Sequence, residues 1–456
     1  MGDIYKIKRD LRRFSLTRRS VYTQKTFLPL PYREKIVSMG IHAVTFESDD
    51  WGMCGEMKDR NSLRRVLEIE HQGEESANRM KYSNTLESYE DLTSLYSVLR
   101  SFKDSLGRSP IFTANYVMSN PDFKSIEKSN FSMYIDIPIS QGFPDGWNDR
   151  GPVLRGWKEG MHLKVWRPEY HGLAHFNFKV WLNSLRNADK ISKDFFEMSM
   201  VNYERKGTAV SEYVFDQKRG IFESYTNQHA YVSKGCRLFG ALFGYKPLAT
   251  IPPHDVWNAA TELAFLKCGI RFIQSEKTRL AGAVFPPHKI SLAPFGAMKT
   301  AMLIQIVITK ILRNIWLEMN DDLDYAFEAF EYVSKSGFPA VIDTHRVNYV
   351  TGVNPVLADK GRNRLYKFLK FLSEDSHVNY LTVSELSQLY SEGYSILTFH
   401  DEILIRNVRN DTLKLPLSLK TYNATDITDQ KVMNDRISYT DSSTEIPPMS
   451  AISFSL

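Results

Sequence analysis

Three short stretches of this sequence carry residue types that can do chemistry, at spacings that would let them act together. The first is Ser48-Asp49-Asp50-Trp51-Gly52. Adjacent carboxylates on a loop point in different directions, so one can bind a cation while the other accepts a proton. Taken alone, an acidic pair before glycine reads more simply as a solvated turn. The second is Tyr170-His171-Gly172-Leu173-Ala174-His175. Histidines at i and i+4 share one helix face and can converge on a metal, and neutral imidazole suits zinc and related first-row ions. An isolated pair of this kind also arises often by chance. The third is Ile342-Asp343-Thr344-His345-Arg346, at the end of an apolar strand. A histidine there can serve as general acid or base near neutral pH, or can simply be a structural partner of Asp343. A fourth, weaker stretch is Ile251-Pro252-Pro253-His254-Asp255-Val256-Trp257-Asn258. Its rigid double proline, followed by polar and aromatic groups, would make a groove wall.

Together these are more specific than any one alone. One carboxylate and two histidines, with a fourth position open, describe a hydrolytic metal centre. The remaining aspartate and His345 would supply base and acid.

The elements that must position these residues alternate. Ile41–Phe46 reads as a buried strand, Tyr89–Leu106 as a helix and Pro110–Met118 as a strand. Leu163–Trp166 is a further strand, followed by a helix through Phe178 and Leu185. Beyond lie strands at Leu248–Ile251, Ile270–Gln274 and Pro339–Asp343. Helices are expected at Asp194–Asn202, Tyr231–Phe243, Asn258–Lys267, Leu323–Ser336, Arg362–Leu372 and Ser384–Leu389. Alternation of this kind implies parallel βα units that close into a barrel, whose active site gathers at the C-terminal ends of the strands. After about residue 390, short strands separated by Asn, Asp, Ser and Pro turns replace that pattern. The expected organisation is a basic segment over 1–38, an α/β barrel over 39–392 and a small β-rich region over 393–456.

The chain has 456 residues, 43% of them hydrophobic, with 58 Lys plus Arg against 53 Asp plus Glu. That near balance argues against a dedicated nucleic-acid binder. Bases concentrate between Lys6 and Arg19. That segment reads either as a frayed basic terminus or as an amphipathic helix making peripheral contact with an anionic membrane. Three scattered cysteines and the lack of an apolar segment after the basic terminus point to a reducing, cytoplasmic setting, at most peripheral to the inner membrane face. The longest apolar stretch, Ala301–Ile311, is too short to span a bilayer.

With these residues in view, the chain resembles the polysaccharide deacetylases, carbohydrate esterases that share the chitooligosaccharide deacetylase homology domain. Thr45-Phe46-Glu47-Ser48-Asp49-Asp50-Trp51-Gly52 is similar to that family's T-F-D-D-G motif with an insertion. His171 and His175 match its H-x-x-x-H, Ile251-Pro252-Pro253 part of its R-x-P, and His345 its last motif. The resemblance covers about residues 40–390 through spaced motifs and looks closest to a divergent bacterial subgroup associated with cell-surface polysaccharides. It implies a distorted seven-stranded (β/α) barrel. It also implies Asp50, His171 and His175 as ligands of a divalent metal, zinc first, with cobalt, nickel or iron fitting the same set. Asp49 would be the base and His345 the acid in removing acetyl groups, N-acetyl before O-acetyl, from an acetylated glycan or sugar intermediate. The family's arginine that tethers the base has no motif counterpart, leaving Arg313 or Arg346 to substitute, and Asp343 or another nearby acid would raise the pKa of His345. Trp51, Pro253, His254, Trp257 and Arg346 are the expected substrate contacts, although core packing is the plainer reading of any one tryptophan. Two other classes stay open. A glycosidase needs carboxylates roughly 5 to 9.5 Å apart, which sequence neighbours suit poorly. The other is a catalytically inactive glycan-binding barrel.

Overall fold

The computed structural model describes residues 2–27, 30–54, 57–73, 76, 80–147, 149–202, 213–216, 219–275, 309–318, 322–427, 431–433 and 437–455. Most of the apolar stretch 301–311 lies outside them.

The first barrel strand, His42–Trp51, is buried at every position from Ala43 onward. Burial on both faces marks a strand with a packed interior on one side and helices on the other. Parallel pairing then runs through Phe112–Tyr116, Trp166–Tyr170, Ala249–Thr250, Phe272–Ser275 and Thr309–Leu312 on one side, and through Ala340–His345 and Ile315–Trp316 on the other. The two ends of this path are consecutive in the chain. Thr309–Leu312 pairs with Phe272–Ser275 and Ile315–Trp316 with Ala340–His345, leaving only Arg313 and Asn314 between. The sheet thus curls until one segment serves both edges, a distorted α/β barrel with seven strand positions among the described residues. Val378–Tyr380 adds to the N-terminal end of the first strand.

Helices cover the outside with legible caps. Tyr89–Arg100 starts with a Ser88–Asp91 capping box. Val383–Glu392 starts with Thr382 and Glu385 and ends on left-handed Gly393. Pro355–Leu372 packs so closely behind His345 that a Cβ on Gly361 would lie 1.8 Å from the Asn348 carbonyl oxygen.

Three expectations shift, one of them the helix expected at Asp194–Asn202, which is Lys190–Glu197. The strand expected at Leu163–Trp166 is Trp166–Tyr170, and the helix after it begins only at Phe178. The N-terminal segment is not frayed: Gly2–Phe27 is one helix. Thr17, Ser20, Val21 and Gln24 are buried, while Arg12, Arg18, Arg19 and Lys25 stay exposed. Among the described residues, no helix is long and apolar enough to cross a membrane.

Beyond residue 393 the strands are antiparallel. Tyr394–Thr398, Glu402–Asn407, Ser450–Ser455 and Asn423–Asp426 form one sheet. Leu413–Leu415, Thr444–Ile446 and Ser438–Tyr439 form another. They share their own core of Ile405, Leu415, Ile446, Ile452 and Phe454.

Candidate active site

The C-terminal ends of the strands bring together the residues the motifs single out. Asp49 and Asp50 are not on a loop. The strand continues through both, with its pairing register shifted between Ser48 and Trp51, and Asp50 adopts a φ of 74°. The irregularity breaks the alternation of faces, so neighbouring carboxylates can serve one rim from two directions.

His171 and His175 are also placed differently from expectation. They sit on a loop between strand and helix, and turning replaces helical periodicity. Gly172 has a φ of +100°, which a side chain rarely adopts. The loop is pinned where Met118 and Ser119 donate to the Gly172 and Leu173 carbonyls and Ala174 N donates to the Tyr231 hydroxyl. The result still converges: His171 Nε2 lies 3.6 Å and His175 Nε2 3.5 Å from one oxygen of Asp50. Tetrahedral zinc bonds of about 2.0–2.1 Å put neighbouring ligand atoms roughly 3.4 Å apart, so the spacing is that of a ligand set.

Two further observations fit a cation. His171 Nδ1 faces the Ile251 carbonyl at 2.9 Å. That contact puts the proton on Nδ1 and leaves the Nε2 lone pair facing Asp50. His171 Nε2 is buried and has no hydrogen-bond partner, an arrangement that is costly unless something occupies the position. Burial holds His175 well below the usual imidazole range, in the neutral form that ligates metals, with His254 adding to the effect. Burial alone would raise Asp50, but His171 and His175 beside it hold its carboxyl well below the usual range.

Asp49 faces a different environment. Arg313 grips it with two bonds of 2.8 Å, and Asn115 donates to it at 2.7 Å. Against burial, the Arg313 charge pulls its pKa down to about 2, so it stays ionised. Arg313 also donates to Glu47 and Asp343, each at 2.7 Å, and is itself buried. Three carboxylates on one guanidinium are not neutralised. Burial, only partly offset by Arg313, pushes Glu47 up to about 7. Asn115 and Gln274 exchange amide hydrogen bonds beneath, both wholly buried.

His345 Nε2 lies 3.7 Å from Asp49. Its Nδ1 is 2.7 Å from Glu318 but 3.9 Å from Asp343. Burial opposes the charged ring, but Glu318, with Asp343 and Asp49 behind it, holds His345 well above the usual imidazole range. Glu318 is therefore the principal partner, a residue no motif singles out. Its only signal is position, as an acid just beyond the short apolar run Ile315-Trp316-Leu317.

The expected substrate contacts divide. His254 is exposed, has a φ of 55°, and places its ring 4.5 Å from that of His175. Pro253 is buried against the histidine loop, 3.1 Å from where a Cβ on Gly172 would lie. Trp51 and Trp257 are packed in the core, their indole N–H groups bonded to Ser48 and Glu262. Arg346 is fully buried on Glu87, Asn84 and the Met53 carbonyl, and Glu87 also accepts from Gly52 N. These three cannot reach a substrate. Arg346 instead anchors the backbone that follows Asp50, and of the two arginines it is Arg313 that holds Asp49.

A separate group, His42, Asp375 and His377, lies at the opposite end of the first strand. Its three side chains bond one another, at 2.6 and 3.2 Å.

No family model and no curated protein matches this sequence. Similar solved structures include the carbohydrate deacetylase Agd3, at 10% identity and a TM-score of 0.42 over 91% of this chain. A 4-alpha-glucanotransferase from Thermococcus litoralis has 11% identity and a TM-score of 0.37 over 76%. A CE4 family pseudoenzyme from Bacillus anthracis has 10% identity and a TM-score of 0.28 over 76%. The chain spans 65%, 40% and 65% of those three proteins. At such scores, and with a deacetylase, a transferase and a pseudoenzyme among them, function has to be argued from the site itself.

Proposed function

We propose that the chain is a metal-dependent hydrolase that removes acetyl groups from an acetylated glycan or sugar intermediate, with N-acetyl preferred over O-acetyl. The observation that carries this reading is the unpartnered His171 Nε2, set with Asp50 and His175 beside an arginine-held aspartate. Asp50, His171 and His175 would hold a divalent cation, zinc first. Such an ion polarises an acyl oxygen and makes water a better nucleophile at neutral pH.

The protein's own groups supply the rest. Asp49 takes a proton from the attacking water. Arg313 and Asn115 fix both of its oxygens, so it cannot swing onto Asp50's histidines. His345, kept protonated chiefly by Glu318, presents Nε2 on the same side as Asp49 and donates to the leaving group. Cleavage of an amide needs its nitrogen protonated before it departs, which gives His345 its greatest value on N-acetyl substrates. His254 on the rim contacts the sugar. Residues 39–392 carry this chemistry, and 393–456 form an appendage without a catalytic role. The proposed role in making cell-surface polysaccharide rests on the resemblance to that bacterial subgroup alone.

The test is metal analysis of the purified protein together with acetate release from N-acetylated and O-acetylated oligosaccharides. Stoichiometric metal with acetate release, both lost in Asp50→Ala, is the expected result. Full acetate release by a metal-free Asp50→Ala protein would overturn it.

A further inference from the structure

The N-terminal helix has a feature that barrel packing alone does not require. Beside the apolar Val21, its buried face carries three polar residues: Thr17, Ser20 and Gln24 all lie inside. Each side chain bonds the backbone of the segment that closes the barrel. Thr17 Oγ1 donates to the Asn314 carbonyl at 2.7 Å, and Ser20 Oγ to the Arg313 carbonyl at 2.8 Å. Gln24 accepts from Leu312 N at 3.1 Å and donates to the Lys310 carbonyl at 3.3 Å.

The reason lies in the seam. Arg313 N donates back to Ser275, and Asn314 N donates forward to Val341. The segment changes partner strand between these two residues. At such a switch, backbone carbonyls lose their ladder partners, and buried carbonyls must be satisfied in some other way. Here the helix supplies the missing donors. It also covers the next residues, with the Arg13 guanidinium 5.3 Å from the Trp316 ring.

We infer that Thr17, Ser20 and Gln24 are positioning residues for the reaction: they fix the backbone of Arg313, and through it the orientation of Asp49. The inference rests on Asp49 being the base. Arg313 reaches Asp49 by a two-bond fork, which tolerates little rotation of its own backbone. The metal-binding residues lie on other elements and do not depend on this helix. Loosening the seam should therefore lower turnover and leave metal binding intact.

The experiment uses the full-length, zinc-loaded protein and an N-acetylated chito-oligosaccharide. Thr17→Val with Ser20→Ala removes both donors at nearly constant volume. Thr17→Ser keeps the hydroxyl. Backbone hydrogen exchange over 309–316 is followed alongside kinetics, zinc content and melting. The double variant is expected to lose about tenfold in kcat, a displacement-sized effect. KM should stay within about twofold on the same ground, with zinc stoichiometric and exchange over 309–316 faster. Thr17→Ser alone should keep wild-type turnover and protection. If the double variant fails to fold, Ser20→Ala alone carries the same comparison. Wild-type kcat and wild-type exchange in the variant would overturn the inference. Absence of acetate release from the wild-type protein would sink the deacetylase reading instead. Unchanged exchange over 309–316 would then still count against the positioning role.

Discussion

Asp49 and Asp50 are neighbours, yet the two regions they enter are built on opposite plans. Around Asp50 two imidazoles converge on one carboxylate oxygen at more than hydrogen-bond length. Two imidazole nitrogens sit 3.5 and 3.6 Å from one carboxylate oxygen, and His171 Nε2 is buried without a partner. Around Asp49 there is a guanidinium, two amides and three further acids, and most contacts are hydrogen bonds of 2.7 to 2.8 Å. The first arrangement leaves His171 Nε2 open, as a cation ligand would be. The second holds Asp49 by both oxygens and so fixes its direction. The bulged strand end is what lets one dipeptide serve both.

The sharpest test of that contrast is removal of each anchor. Asp50→Ala should lose the metal and essentially all acetate release. Its fold should survive, because that half of the site contributes little internal bonding; metal analysis and circular dichroism check both points. Arg313→Met should do the reverse and act first on stability. Removing one partner of a buried ion-pair network costs roughly 3–5 kcal/mol, and here Glu47, Asp49 and Asp343 would be left facing one another. Urea denaturation measures the loss. A cost comparable to an exposed ion pair, under about 1 kcal/mol, would break the comparison.

His345→Gln should lower kcat on an N-acetyl substrate by about 10²–10⁴, the usual range for a general acid. An O-acetyl ester should suffer less. Glu318→Gln should be milder and should move the alkaline limb of the rate profile to lower pH. Glu318 is the main influence holding His345 in its charged form against burial. A profile that does not move would assign that role to Asp343.

The smallest effect is a matter of pH. Burial raises Glu47 from 4.5 to about 7, so the folded chain keeps a proton that the unfolded chain releases between those values. Its contribution to stability is full below pH 4.5 and is lost as the pH rises through 7. At about 1.4 kcal/mol per unit, the change is on the order of 3 kcal/mol. Glu47→Gln cannot titrate, so its stability should fall less than wild type between pH 4.5 and 7.5 in urea titrations. Parallel curves would mean that Arg313 keeps Glu47 ionised throughout.

Much of the scaffold was legible because hydrophobic periodicity is local. The run at Ile41–Phe46, the helix from Tyr89 and the strand before His345 all declare themselves within a few residues. The spacing of His171 and His175 drew attention for a reason the fold does not use. Helical periodicity would align them, but a turn at Gly172 does so. Trp51 and Trp257 are core, the plainer of their two readings, since sequence proximity to a rim does not say which face a residue takes. Asn115 and Gln274 carried a usable signal, as amides within short strands that also hold large apolar residues. The helix at the N-terminus was harder to read. Three of its buried positions are Thr, Ser and Gln, and these look like surface until the carbonyls they satisfy are known.

By itself the sequence determined the alternation of strands and helices, the two aspartates, the two histidines and His345, because each depends on residue types within a short window. Only the tertiary structure decided that Arg313 holds Asp49, that Glu318 pairs with His345, and that Arg346 and Trp51 belong to the interior. Those roles depend on which strand ends meet when the barrel closes. That closure brings Arg313 to Asp49 across 264 positions of chain, a distance over which no local pattern carries information.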